Sequence, residues 1–162
     1  MKKEERFLAA IEQSKLIIYK AARVYTQTQE DQEDLIQEII YQLWKSFDSF
    51  QGHSTVSTWI YRVAMNTAMY HAQKSKKRVF TLPFQYSQIK IADQKESGFE
   101  ERQQLLDKLL DELTILEKNI VFLYLEEKSY KEIAEIIGIS ESNVGTKMSR
   151  IRNKLKSAAK KH

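Results

Sequence analysis

The sequence predicts an all-α protein built as two small helical domains, and three observations carry that reading. Apolar residues recur at spacings of three and four through most of the chain. The composition is 42% hydrophobic and 30% charged with only four Gly and one Pro, which favours helix over a turn-rich β fold. Residues 79–98, VFTLPFQYSQIKIADQKESG, break the helical period and hold the single proline, so they read as a flexible linker. The expected division is a domain over 1–78, a linker over 79–100 and a second domain over 101–162.

Over residues 4–25, Phe7, Leu8, Ile11, Leu16, Ile18, Ala22 and Tyr25 give a loose helical pattern. The polar, acidic TQTQEDQED then marks a break and a helix start, because Asp and Glu oppose the positive end of a helix dipole. From Asp34 onward Leu35, Ile36, Ile39, Ile40, Leu43, Trp44 and Phe47 form a wide apolar stripe, with Gln37, Glu38, Tyr41, Gln42 and Lys45 off it. Gly52 sits in the loop SFQGHST. A third helix carries Val56, Trp59, Ile60, Val63, Ala64, Thr67 and Tyr70 on one face and runs out in the basic KSKKR. These elements make a three-helix domain.

In the second domain Leu105, Leu106, Leu109, Leu110 and Leu113 form one stripe. Thr114 with Glu117, and Ser129 with Glu132, are each placed as a capping box that opens a helix. The helix after Ser129 ends at Gly138, suited to a left-handed cap, and a last helix runs from about Glu141 to Lys160.

Charge is segregated. The net charge is +4, yet five acids, Glu30, Asp31, Glu33, Asp34 and Glu38, lie where no base occurs between Arg23 and Lys45. From Lys147 to Lys161 there are seven bases and no acid. The pattern fits an acidic surface for one partner and a basic one for a polyanion.

The residues also exclude classes. Without Cys there is no disulfide or thiolate site, which fits a cytoplasmic protein. No apolar run reaches the roughly 18 residues of a membrane span, and the N-terminus lacks a signal-peptide core. His53, His71 and His162 are scattered and no glycine-rich phosphate loop occurs, so no catalytic residue, metal, cofactor or small-molecule substrate is expected, and no enzyme.

The most specific local signal is YKEIAEIIGISESNVGTKMSRIRNKLK. Ile133, Ala134 and Ile137 form the inner face of its first helix, with Ala134 small where a second helix crosses. Gly138 and Ile139 make the turn, and Val144, Met148, Ile151 and Leu155 share the inner face of the second helix. This is the layout of a helix-turn-helix whose second helix enters the major groove. Ser142, Asn143, Thr146, Lys147, Ser149, Arg150, Arg152 and Lys156 are the candidate duplex contacts. A guanidinium can bridge a guanine edge, while hydroxyls and lysines hold phosphates. Gly145 costs about 1 kcal/mol inside a helix relative to Ala; it either lets DNA backbone approach or has no role.

DQEDLIQEIIYQLWKSFDSF followed by STVSTWIYRVAMNTA resembles the core of bacterial sigma factors, in particular the small extracytoplasmic-function (ECF) group with its two domains, sigma-two and sigma-four. The resemblance covers about residues 7–78 and 102–160. It implies a factor that directs core RNA polymerase to promoters. Asp31, Asp34, Gln37, Glu38 and Trp44 would then dock on the clamp helices of the largest polymerase subunit, with the flap as a further contact. The loop Phe50–Val56 and Asn66 would read the minus-ten element as single strand. Ser54, Thr55, Trp59, Tyr61, Arg62, Lys76 and Lys77 are the other candidates there, with Trp59 on the apolar stripe and read as core before base stacking. The helix-turn-helix would read the minus-thirty-five duplex, and an anti-sigma factor is an expected partner. The competing reading is a helix-turn-helix repressor or activator acting on duplex DNA without polymerase.

Overall fold

The computed structural model describes residues 2–50, 52, 54–75 and 99–161, and its helices fall in two compact units, Met1–Thr81 and Leu82–His162. The expected linker, residues 79–98, lies outside the described residues. No strand occurs among the described residues, and no helix there is long and apolar enough to cross a membrane.

The first unit contains α1 (Lys3–Gln13), α2 (Lys15–Val24), α3 (Gln29–Ser46), a short 3-10 turn (Phe47–Ser49) and α4 (Val56–Ser75). The helix expected over 4–25 is divided at Ser14, whose φ of −118° and ψ of 16° leave the helical region. The buried positions Phe7, Ser14, Ile18, Ala21 and Tyr25 keep their period across the break, which is why spacing alone does not reveal it. Helix α3 starts at Gln29, within the TQTQEDQED stretch expected to hold its N-terminus. Thr28 caps it, accepting the Asp31 N–H at 3.1 Å, so Glu30 and Asp31 lie in the first turn at the positive dipole end.

Leu35, Ile39 and Leu43 of α3 are fully buried, and both α2 and α3 pack on α4. The inner face of α4 is Ile60, Tyr61, Ala64, Met65, Ala68 and Ala72. That corrects the expected face: Val56 and Tyr70 are exposed, Tyr70 to 68%. The three alanines let two helices close in on α4, and the expected stripe was rotated toward the bulky residues instead. At one end Phe7 meets Trp44 edge-on at 5.0 Å and Phe47 at 5.4 Å, and Phe50 stacks on Trp59 at 4.9 Å.

The second unit contains α5 (Phe99–Asp111), α6 (Ile115–Leu125), α7 (Tyr130–Ile137) and α8 (Glu141–Lys161). Both capping boxes form: Thr114 Oγ1 accepts from Glu117 N–H at 3.2 Å and Glu117 Oε1 from Thr114 N–H at 2.9 Å, while the Ser129 and Glu132 bonds are both 3.1 Å. Gly138 has φ of 88° and donates to the Ala134 carbonyl at 2.8 Å, closing α7 as a left-handed cap. The inner face of α7 is Ile133, Ala134 and Ile136, so Ile136 takes the place expected of Ile137. Ile120, Leu123, Val144 and Ile151 complete the core. Of the leucines in and just after α5, Leu110 and Leu113 are buried and Leu105 is exposed.

Candidate nucleic-acid interface

Three surfaces follow from these helices. The first is the outer side of α8. Val144, Met148, Ile151 and Ala158 point into the core, which turns Ser142, Asn143, Thr146, Ser149, Arg150, Arg152 and Lys156 to solvent, with Lys147 half-exposed. The start of α8 is held by Ser140 Oγ, which accepts from the Asn143 N–H at 3.1 Å. Thr146 Oγ1 is already engaged, donating to the Ser142 carbonyl at 3.2 Å. All eight candidate duplex contacts are therefore exposed or half-exposed on α8, whose charged groups after Glu141 are all cationic. Two are spoken for in part, Thr146 by its own helix and Arg152 by Tyr130 Oη at 3.4 Å.

The helix carrying this face packs on α6 and is also joined to it by a long-range ion pair. Lys154 Nζ donates to Glu117 Oε1 at 2.7 Å, with the Glu117 side chain only 8% exposed. Burial raises the Glu117 pKa, but the bonds from Lys154 and from Thr114 outweigh it and hold the carboxyl below its ordinary value. Glu132 is likewise held below its ordinary value, first by the Ser129 N–H. Sequence reasoning found both capping boxes and missed Lys154, since nothing local announces a partner so distant in the chain.

The second surface is a stripe along α4. Arg62, Asn66, Tyr70 and Lys74 recur one helical turn apart and are all exposed. Asn66, Tyr70 and Lys74 face Asp34, Glu38 and Gln42 of α3 across an open cleft. Tyr70 was missed because it was read as core; the alanine spacing on the opposite side of α4 is the signal that exposes it. Trp59 is 7% exposed beside Phe50, in keeping with its reading as core before base stacking, whereas Tyr61, a candidate for the minus-ten strand, is 3% exposed and turned into the core. Thr55 Oγ1 is the cap of α4, accepting from the Thr58 N–H at 3.1 Å, and Ser54 Oγ donates to the Thr55 carbonyl at 3.3 Å. By helical rise Thr55 lies roughly 16 Å from Asn66 along the axis, so the two are not brought into one pocket. Lys76 and Lys77 lie outside the described residues.

The third surface is acidic. Asp34, Gln37 and Glu38 of α3 are exposed and Asp31 is partly so, with Glu38 Oε1 accepting from Gln42 Nε2 at 3.0 Å. Trp44 is half-buried beneath Phe7, with Lys3 Nζ 4.1 Å above its ring. Among the described residues no group of His, Asp and Glu could hold a metal ion.

Comparison with known proteins assigns both units. A family model described as Sigma-70 region 2 matches residues 10–78, and one described as Sigma-70, region 4 matches residues 103–155. The RNA polymerase sigma factor SigV of Bacillus subtilis is 31% identical over 137 residues, covering 82% of this chain and 78% of the relative. The ECF RNA polymerase sigma factor SigM of the same species is 30% identical over 141 residues, covering 86% of each. Two solved structures share the fold. CnrH in complex with the cytosolic domain of CnrY has a TM-score of 0.67 at 17% identity over 98% of this chain and 90% of that one. The sigma factor RpoE with the anti-sigma factor NepR, from Bartonella quintana, has a TM-score of 0.57 at 19% identity over 97% and 96%.

Proposed function

The chain belongs to the ECF group of sigma-70 factors, and from that premise we propose which of its surfaces performs each step of promoter-directed initiation. As a sigma factor it binds core RNA polymerase and promoter DNA and starts transcription without catalysing a reaction itself. In our assignment the acidic face of α3, with Asp34, Gln37 and Glu38, docks on basic helices of the largest polymerase subunit. Carboxylates and an amide on one helix face suit that partner in charge and in hydrogen bonding. The exposed side of α8 reads the minus-thirty-five duplex, Arg150 at base edges and Lys156 at phosphate.

The stripe on α4 takes the unstacked minus-ten strand. A short neutral amide at Asn66 offers a donor and an acceptor to a base edge, whereas Arg62 and Lys74 on the same stripe supply charge. With Thr55 roughly 16 Å from Asn66, and about 3.4 Å per nucleotide along a strand, the loop before α4 and Asn66 address different nucleotides rather than one extruded base. The observation that carries the assignment is that Asn66 and Tyr70 stand exposed one turn apart in the α3–α4 cleft, while the aromatic residues that precede them on the helix, Trp59 and Tyr61, are buried. An anti-sigma factor is the proposed regulator, in line with the complex in which RpoE was solved. We place the protein in the cytoplasm, where core polymerase works. A regulator acting on duplex DNA alone is disfavoured, since a region-2 match has no place in it.

The test is run-off transcription with purified core polymerase. Holoenzyme carrying Asn66→Ala should bind the promoter yet open it poorly, and a premelted bubble should not fully restore it. Wild-type opening by that variant would remove Asn66 from the minus-ten contact.

A further inference from the structure

We propose that Tyr130 is a positioning residue for the duplex reader: its hydroxyl holds the Arg152 guanidinium in place, so that Arg152 meets DNA already oriented. The proposal rests on the assignment of α8 to duplex reading, and three features of the helix-turn-helix carry it.

Tyr130 is the first residue of α7, and the helix start beneath it is fixed. Ser129 and Glu132 exchange reciprocal 3.1 Å bonds around it, with Lys128 Nζ a further 3.9 Å from Glu132. From that anchored backbone the phenol reaches α8 along one side. A Cβ built on Gly145 would lie 3.8 Å from Tyr130 Cε2 and 4.0 Å from Cδ2, so the ring lies beside a residue that has no side chain to push it away. Two turns further along the same side of α8, Arg152 Nη2 donates to Tyr130 Oη at 3.4 Å. One side chain thus bridges the two helices, with its ring at Gly145 and its oxygen at Arg152.

The consequence is chemical. Arg152 is exposed, and an exposed arginine loses rotamer freedom whenever DNA fixes it. A guanidinium has five N–H groups, so donating one to a phenol leaves the rest for phosphate or a base edge. Orienting the fork before contact lowers the ordering cost of binding. Gly145 belongs to the device: a long side chain there would displace the ring and release Arg152. This gives a helix-interior glycine a role in shaping the reading surface.

The experiment is a double-mutant cycle in complete holoenzyme, on the promoter duplex that wild-type holoenzyme enriches from a genomic fragment library. Tyr130→Phe keeps the ring and removes only the hydroxyl; it should weaken binding about three- to tenfold with an unchanged melting temperature. Arg152→Ala should weaken binding at least as much. The double variant should bind like Arg152→Ala alone, because the hydroxyl acts only through that guanidinium. Wild-type affinity in Tyr130→Phe or in Arg152→Ala overturns the proposal, as does a double variant whose losses multiply. A wild-type holoenzyme that enriches no promoter would instead remove the sigma-factor assignment on which the proposal stands.

Discussion

At the scale of single residues, Glu117 joins two features of the second unit in one side chain. It closes the cap of α6 on Thr114 and accepts from Lys154 of α8, so one carboxylate fixes a helix start and a helix crossing together. Its pKa is held below the ordinary value, burial opposing and the two donors prevailing. The stability it contributes is therefore fully present above an unfolded carboxylate pKa of about 4.3 and is lost as pH falls through the lower folded value. Glu117→Gln should cost about 1–2 kcal/mol at pH 7, seen as a lower melting temperature for the unit. The gap between variant and wild type should narrow toward pH 3, and a gap independent of pH would mean the charge contributes nothing. The Thr114–Glu117 spacing was legible in the sequence because a capping box is local. Lys154 was not, because an ion pair between residues 37 apart leaves no periodic trace.

At the scale of helices, what the sequence made legible was existence and order; what it hid was which way some faces turn. The bulky apolar residues of α3 report its inner side well, and Leu35, Ile39 and Leu43 are all fully buried. On α4 the inner side is marked by Ala64, Ala68 and Ala72, residues that carry little apolar weight and so let Tyr70 pass for core. The break at Ser14 was hidden for a related reason, since the buried period runs straight through it. Two predictions belong here. Glu38 is exposed on α3, where its carboxylate accepts from Gln42 of the same helix. Glu38→Lys should therefore leave helical circular dichroism unchanged while weakening core-polymerase binding in a pull-down by about tenfold or more, as expected when a charge is reversed against a complementary surface. On α8, Gly145→Ala adds a methyl that meets only the Tyr130 ring at ordinary contact distance, so it should stabilise the helix by about 1 kcal/mol in a thermal melt.

At the scale of the whole molecule, each unit has a core of its own, the first carrying the proposed polymerase and minus-ten contacts and the second the proposed duplex reading. The loss of helical period over 79–98 made that division readable, although the structure begins α5 at Phe99, inside the span assigned to the linker. Substitutions in the two units should act independently. Arg150→Ala should cost about 1–3 kcal/mol of promoter binding, Asn66→Ala should act on opening, and their free-energy effects should add in the double variant. A large non-additive term would place both residues in the same step. The reciprocal caps at Thr114–Glu117 and Ser129–Glu132 also set a clock. Each closes between residues only three apart, so the helices of the second unit can start from contacts the chain makes almost at once, and packing of this local kind folds in microseconds to milliseconds. A ribosome adds about 5–20 residues per second. The helix-turn-helix should thus be complete within the interval in which a single residue is joined, and stopped-flow refolding of the unit should finish inside that same interval.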